Sequence, residues 1–99
     1  MKVNVKGTII PNDDQWIYDL FDIDATSPAK VSKGITAAAE KGELLEVDIN
    51  SGGGDIFAAS EIYSAIREYS GDVKIHVVGL AASAASVIAC AGKSDISPT

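Results

Sequence analysis

The sequence has little of what metal, redox and nucleic-acid chemistry require. Its single cysteine, Cys90, cannot close a disulfide within the chain or build a multi-thiolate metal site. Its setting among small apolar residues predicts a buried free thiol. Eight Lys and Arg stand against fourteen Asp and Glu, a formal net charge of −6. The basic residues are scattered singly, so no surface is expected that would displace counterions from a phosphate backbone, and nucleic acid is excluded as a partner. The longest apolar stretch, Val77 to Gly92, is rich in Ala, Ser and Gly and falls short of the ~20 residues that cross a hydrocarbon core. No membrane association is therefore expected. The opening MKVNVKGTII carries Lys2 and Lys6 and no apolar core ahead of a small-residue cleavage site, so it does not read as a secretory signal, and a cytoplasmic location follows. There is also one histidine, His76, which limits any acid–base chemistry the chain can perform by itself.

What is present fits one α/β domain, or part of one, since 99 residues bury only a modest core. Val3, Val5 and Thr8 to Ile10 predict an opening strand closed by the turn Pro11-Asn12-Asp13-Asp14. Gln15 to Asp24 mixes six large apolar residues with three Asp and is compatible with a buried loop or a short strand. Ser27-Pro28 predicts a helix start, because Ser accepts a free backbone N–H and Pro has none to lose. That helix should reach Lys41 and end at Gly42. Leu44 to Ile49 reads as a strand. Ile56, Ala59, Ile62, Tyr63, Ile66 and Tyr69 then recur as one helical face, with Asp55 as the N-cap. Val73 to Val78 reads as a buried parallel strand, and a helix is expected from about Ser83 to Ala91, closed by Gly92. Such alternation predicts right-handed βαβ crossovers and a mostly parallel sheet covered by helices.

In open parallel sheets functional loops gather at the carboxyl ends of strands, and two such ends are unusual here. Asn50-Ser51-Gly52-Gly53-Gly54 follows the second of these strands. Three glycines let the backbone turn sharply and offer N–H groups at a helix start, which suits an anion. The anion could be a phosphate or the oxyanion of acyl transfer, but no Lys-Ser or Lys-Thr pair follows as a phosphate loop requires. The second junction, Gly79-Leu80-Ala81-Ala82-Ser83-Ala84-Ala85, puts a serine hydroxyl at a tight strand-to-helix turn, as in a nucleophile elbow. On frequency alone such a serine is a helix N-cap. Ser86 is the competing hydroxyl, but one turn further on it should face a neighbouring turn of the helix.

Taken together, Asn50-Ser51-Gly52-Gly53-Gly54, Ile62-Tyr63, Asp72-Val73, Gly79-Leu80-Ala81-Ala82-Ser83 and Ala91-Gly92 resemble the proteolytic subunit of the Clp protease, without a gap from Asn50 to Ser83. That family's loop usually reads Asn-Ser-Pro-Gly-Gly, so Gly52 departs from it, as do Leu80 and Ala84 where Gln and Met are frequent. These departures, with the acidic region of Asp13, Asp14, Asp19, Asp22 and Asp24, look more like the ClpP-related prohead, or head maturation, proteases of phages and prophages. The resemblance implies a ClpP/crotonase-like α/β fold of repeated ββα and βαβ units. It implies Ser83 as nucleophile, the backbone N–H groups of Gly54 and Ala84 as oxyanion hole, and Gly53, Asp55 and Ile56 as substrate-binding backbone. It further implies a serine endopeptidase, ATP-independent or Clp-associated, whose role is limited proteolysis in phage capsid maturation or general ATP-dependent degradation. The same resemblance implies a peptide or protein substrate, a ring-shaped homo-oligomer, a phage capsid or scaffold protein as possible partner, the bacterial host cytoplasm as location, and no cofactor or metal.

A serine nucleophile needs a base, normally a histidine oriented by a carboxylate. His76 precedes Ser83 by seven residues on the strand leading to it, too far for a hydrogen bond at ~3.3 Å per residue. It is read as a strand residue, and Asp48, Asp55 and Asp72 as loop, cap and turn residues. By the resemblance the catalytic His and Asp lie beyond Thr99, so residues 1–99 are expected to be a partial domain, inactive alone. Three other readings compete. A crotonase-type acyl-CoA enzyme uses two backbone N–H groups without needing Ser83. A membrane-bound relative with a Ser-Lys dyad would need a Lys, and Lys93 lies at the far end of the helix. A non-enzymatic assembly module would keep the fold alone.

Overall fold

The computed structural model describes residues 1–92 and 95–98, with side chains for the first 92. The strands are β1 (Lys2–Ile9), β2 (Ala25–Thr26), β3 (Leu45–Gly54), β4 (Val73–Ala81) and β5 (Asp95–Pro98). They form one sheet in the order β2-β1-β3-β4-β5, and every pairing is parallel. The helices are α1 (Gln15–Leu20), α2 (Pro28–Lys41), α3 (Ile56–Arg67) and α4 (Ala84–Ala89).

The predicted helix signals operate as expected. Ser27 Oγ accepts from the Lys30 N–H, Pro28 opens α2, and Gly42 closes it at φ 63°. Asp55 accepts from the Ala58 N–H at 2.8 Å and caps α3. The apolar faces of α2, α3 and α4 meet Val3, Val5, Leu45, Val47, Ile49, Val73 and Ile75 of the sheet in one core cluster. In an extended chain alternate residues point to opposite faces, so Lys2, Glu46, Asp48, Lys74 and His76 fall on the other side. There Lys2 Nζ lies 3.4 Å from Asp48 and His76 Nε2 lies 3.3 Å from Glu46.

The expectation of a sheet covered by helices therefore holds for one face only among the described residues. The reason is topological. From β2 through β3 and β4 to β5 the chain always moves in the same direction across the sheet, and crossovers of one hand then put every connecting helix on the same side.

Gln15 to Asp24 is neither a buried loop nor a strand. After a 3-10 turn, Asn12–Asp14, it forms α1, none of whose residues is buried. The carboxylates explain this: drawing the segment inward would strip water from Asp19, Asp22 and Asp24, and the contacts of Asp19 with Gln15 and of Asp24 with Lys6 are made at the surface. Polar bonds anchor it instead: Ala29 N–H donates to Asn12 Oδ1 at 2.7 Å, and Ser27 N–H to Gln15 Oε1 at 3.1 Å. Trp16, Leu20, Phe21 and Ile23 are left more than half exposed.

Cys90 is exposed, contrary to the expected buried thiol. It follows α4 as its C-cap, while Ala84, Ala85 and Ile88 take the buried face. That helix is shorter than the expected span to Ala91. Lys93 and Thr99, named above for a dyad and as the last residue, lie outside the described residues.

Candidate active site

β3 runs four residues past the turn signal at Asn50, through all three glycines, because β1 continues to pair with it: Thr8 lies opposite Gly53 and Ile9 opposite Gly54. A register shift between Lys6 and Thr8 makes this possible, with Gly7 at φ 72°. A side chain at Gly7 would overlap the Asp24 carbonyl, 2.1 Å from the Cβ position. Thr26 Oγ1 steadies the same bulge, accepting from Lys6 N–H at 3.1 Å and donating to Lys6 O at 3.0 Å.

β4 likewise runs past the expected end at Val78 to Ala81, where it pairs with Ser51 after a second register shift. Its last turns rest on Asn50 and Ser51. Leu80 N–H donates to Asn50 Oδ1 at 3.3 Å, and Ala82 N–H to Ser51 O at 3.2 Å. The buried Ser51 hydroxyl accepts from Gly53 N–H at 3.1 Å and donates to Gly7 O at 2.5 Å.

These bonds bring the two unusual strand ends together. At Gly53, φ 105°, an added Cβ would stand 2.8 Å from Ser83 Cβ and 3.0 Å from both Ala82 O and Ala84 N. The triglycine turn and the serine turn are therefore in backbone contact, and only glycine fits between them. Gly54, φ 151°, is pressed instead against Ile9, whose carbonyl oxygen lies 2.3 Å from the position of a Cβ.

Ser83 is exposed and adopts φ 52°, ψ −126°. For a residue with a Cβ this is a sparsely populated conformation, costing about 1–3 kcal/mol and sustained by its surroundings. Its side chain makes no capping bond, which removes the ordinary explanation of a serine at a helix start. Ser86 is satisfied locally, its hydroxyl donating to Ser83 O at 2.6 Å, as expected for a serine facing the previous turn.

The first turn of α4 uses Ala85 N–H on Ala82 O and Ser86 N–H on Ser83 O. The N–H of Ala84 has no partner among the described residues. Asp55 N–H donates to Ile9 O at 2.9 Å, its carboxylate is engaged on α3, and Ile56 beside it is exposed. A groove of about 530 Å³ between α2 and α3, lined by Ile35, Ala39, Glu40 and Tyr69 among others, shares no residue with this region. His76 lies on the polar face of the sheet, beside Lys2, Glu46, Asp48 and Val78, and engages Glu46 rather than any serine. No group of three or more His, Cys, Asp or Glu able to hold a metal ion occurs among the described residues. Nor is any helix among them long and apolar enough to cross a membrane.

Ser83, uncapped and at a strained backbone angle, thus stands at a strand-to-helix turn held against the triglycine strand end. Residues 16–97 match the family model for Clp protease. The chain belongs to the Clp protease family. Among solved structures it is similar to a mutant of ClpP1 from Listeria monocytogenes, with 25% identity and a TM-score of 0.72, over 93% of this chain and 46% of that one. A mutant of the membrane-bound stomatin-specific protease 1510-N shares the fold at 22% identity and a TM-score of 0.66, over 96% of this chain and 42% of that one. The chain thus spans less than half the length of these two structures. No curated protein matches it.

Gly7, Asn50 and Ser51 support the site without any local sequence pattern that marks them as supports. Asn50 and Ser51 are visible as part of the loop, but their side-chain bonds run to the β4 end and to β1, 30 and 44 residues away in sequence.

Proposed function

We propose that this Clp-family chain carries the nucleophile and oxyanion-hole part of a serine endopeptidase site. Ser83 Oγ attacks the peptide carbonyl, and the N–H groups of Ala84 and Gly54 bind the oxyanion that forms. The observation that carries the reading is the backbone of Ser83, held at φ 52° with its hydroxyl exposed and uncapped. A structural serine has no need of that strain.

The unpartnered N–H of Ala84 supports its role. For Gly54 the support is alternation: successive N–H groups of an extended strand point to opposite neighbours, and that of Asp55 points to β1. The N–H of Gly54 then faces the β4 side, where Ser83 stands. Each such donor contributes about 3 kcal/mol to acyl-transfer transition states. Gly53 shapes the turn, its own N–H being held by Ser51. The edge after Gly54, at Asp55 and Ile56, takes an extended substrate as an added strand, where main-chain bonds supply affinity with little demand on sequence.

His76 is engaged on the polar face and does not serve as the base for Ser83; the Clp-family resemblance assigns that role to a histidine outside these 99 residues. The substrate class is peptide or protein, the working form a homo-oligomeric ring, and the cellular role limited proteolysis of a capsid or scaffold protein in phage head maturation. The branch assignment rests on Gly52, Leu80 and Ala84 and on the acidic, exposed α1 region. A crotonase-type reading leaves the strain at Ser83 without a purpose.

The test is peptide hydrolysis by the protein as its gene encodes it. Ser83→Ala should lower kcat by about 10⁴-fold or more with the fold intact, and full retention of activity would exclude Ser83 as nucleophile. Cleavage of the capsid or scaffold protein encoded with it, lost in the same variant, checks the cellular role.

A further inference from the structure

We infer that Ser51 is a positioning residue for the peptidase site, its buried hydroxyl fixing the oxyanion loop beside the nucleophile turn that its own backbone carbonyl holds. The inference rests on the reading of Ser83 as nucleophile. Ser51 is 2% exposed, and it ties its own strand end to two other segments, β1 and the turn after β4. Its hydroxyl proton goes to Gly7 O, in the bulge of β1. Its hydroxyl oxygen accepts Gly53 N–H at 3.1 Å. Its own carbonyl accepts Ala82 N–H at 3.2 Å, one residue before the nucleophile.

A hydroxyl has one proton to give and lone pairs to accept. With the proton committed to Gly7 O, the oxygen is oriented as an acceptor toward Gly53. This fixes the peptide plane between Gly52 and Gly53, in a run where three consecutive glycines would otherwise let planes rotate freely. Holding Gly53 N–H on Ser51 leaves Gly54 N–H as the loop donor that faces Ser83. The bulge in β1 serves the same end, because Gly7 presents a carbonyl to Ser51 where a regular strand would commit it to the ladder.

An alanine at position 51 keeps the backbone bond to Ala82 but frees Gly53 N–H and Gly7 O. Because a displacement of about 1 Å costs on the order of 100-fold in rate, the loss should appear in the chemical step rather than in substrate affinity.

Labelling of Ser83 by a fluorophosphonate, followed to completion in the protein as its gene encodes it, separates positioning from folding. In Ser51→Ala the rate constant should fall about 10- to 100-fold while the fraction finally labelled stays near that of the wild type, and peptide kinetics should show kcat lowered with KM little changed. Ser51→Thr, which keeps the hydroxyl, should restore the rate constant to within about threefold. If Ser51→Ala does not fold, Ser51→Cys, close in size but a weaker acceptor, should give an intermediate rate constant. A rate constant unchanged in Ser51→Ala or Ser51→Cys, or lowered only through a smaller labelled fraction, overturns the positioning role while leaving Ser83 as nucleophile. A wild-type protein unlabelled at Ser83 overturns the nucleophile reading and this inference with it.

Discussion

Gly53→Ala is the substitution whose consequence follows most directly from the geometry. The new Cβ would lie 2.8 Å from Ser83 Cβ and 3.0 Å from two backbone atoms, Ala82 O and Ala84 N. None of these is the end of a flexible side chain, so one of the two turns must move. The residue also sits at φ 105°, which adds about 1–3 kcal/mol of backbone strain for a non-glycine. Overpacking adds about 1–3 kcal/mol more. Their sum, about 2–6 kcal/mol, is below the middle of the usual domain stability of about 5–15 kcal/mol, so the variant should fold, which urea denaturation checks. A shift of about 1 Å between Ser83 and the loop should lower the Ser83 acylation rate constant on the order of 100-fold. Gly42→Ala is the matching control, because φ there is 63° but nothing lies within 4 Å of the added Cβ. It should cost about 1–2 kcal/mol in urea denaturation and leave the acylation rate constant untouched. A Gly53→Ala protein that acylates at the wild-type rate, or a Gly42→Ala protein impaired to the same degree, would refute the claim that the two turns are in functional contact.

Other outcomes follow from the same structure. Ile62→Ala, at a side chain with no exposure under α3, should destabilise the fold by about 2–5 kcal/mol in chemical denaturation. Asn12→Ala removes the acceptor of Ala29 N–H and should speed hydrogen exchange at that amide while stability falls by only about 1 kcal/mol. Native Cys90, being exposed, should react with a thiol reagent without unfolding, whereas a rate limited by global unfolding would contradict its placement. Trp16, the sole tryptophan and 65% exposed, should emit at the wavelength of a solvated indole before denaturation as well as after it.

Local signals were legible where one residue type decides one backbone event. Ser27-Pro28 and Gly42 bracket α2, and Asp55 caps α3, because each acts within a few residues of itself. The alternation of strands and helices was legible for the same reason, and it was enough to give parallel pairing. Strand lengths were less so. β3 continues through Gly52–Gly54 only because β1 bulges at Gly7 and keeps pairing, and no pattern within the loop announces that. In α1 the apolar content points to burial, whereas five Asp between residues 13 and 24 keep the segment at the surface. The small apolar neighbours of Cys90 in sequence point to burial, while its exposure is set by the helical face it follows. At the site, the type and spacing of the two junctions pointed to Ser83, but its distinction from a helix cap resides in φ and in an absent side-chain bond. The bracing by Asn50 and Ser51 depends on bonds across the sheet and has no local signature.

The identity of the attacking atom decides most directly whether this turn is a catalytic one. Mass-spectrometric mapping of the fluorophosphonate adduct on the protein as its gene encodes it should find the modification on Ser83 and nowhere else. An adduct on Ser86 or another hydroxyl, or none while peptide hydrolysis proceeds, would contradict the assignment of this turn as a nucleophile elbow.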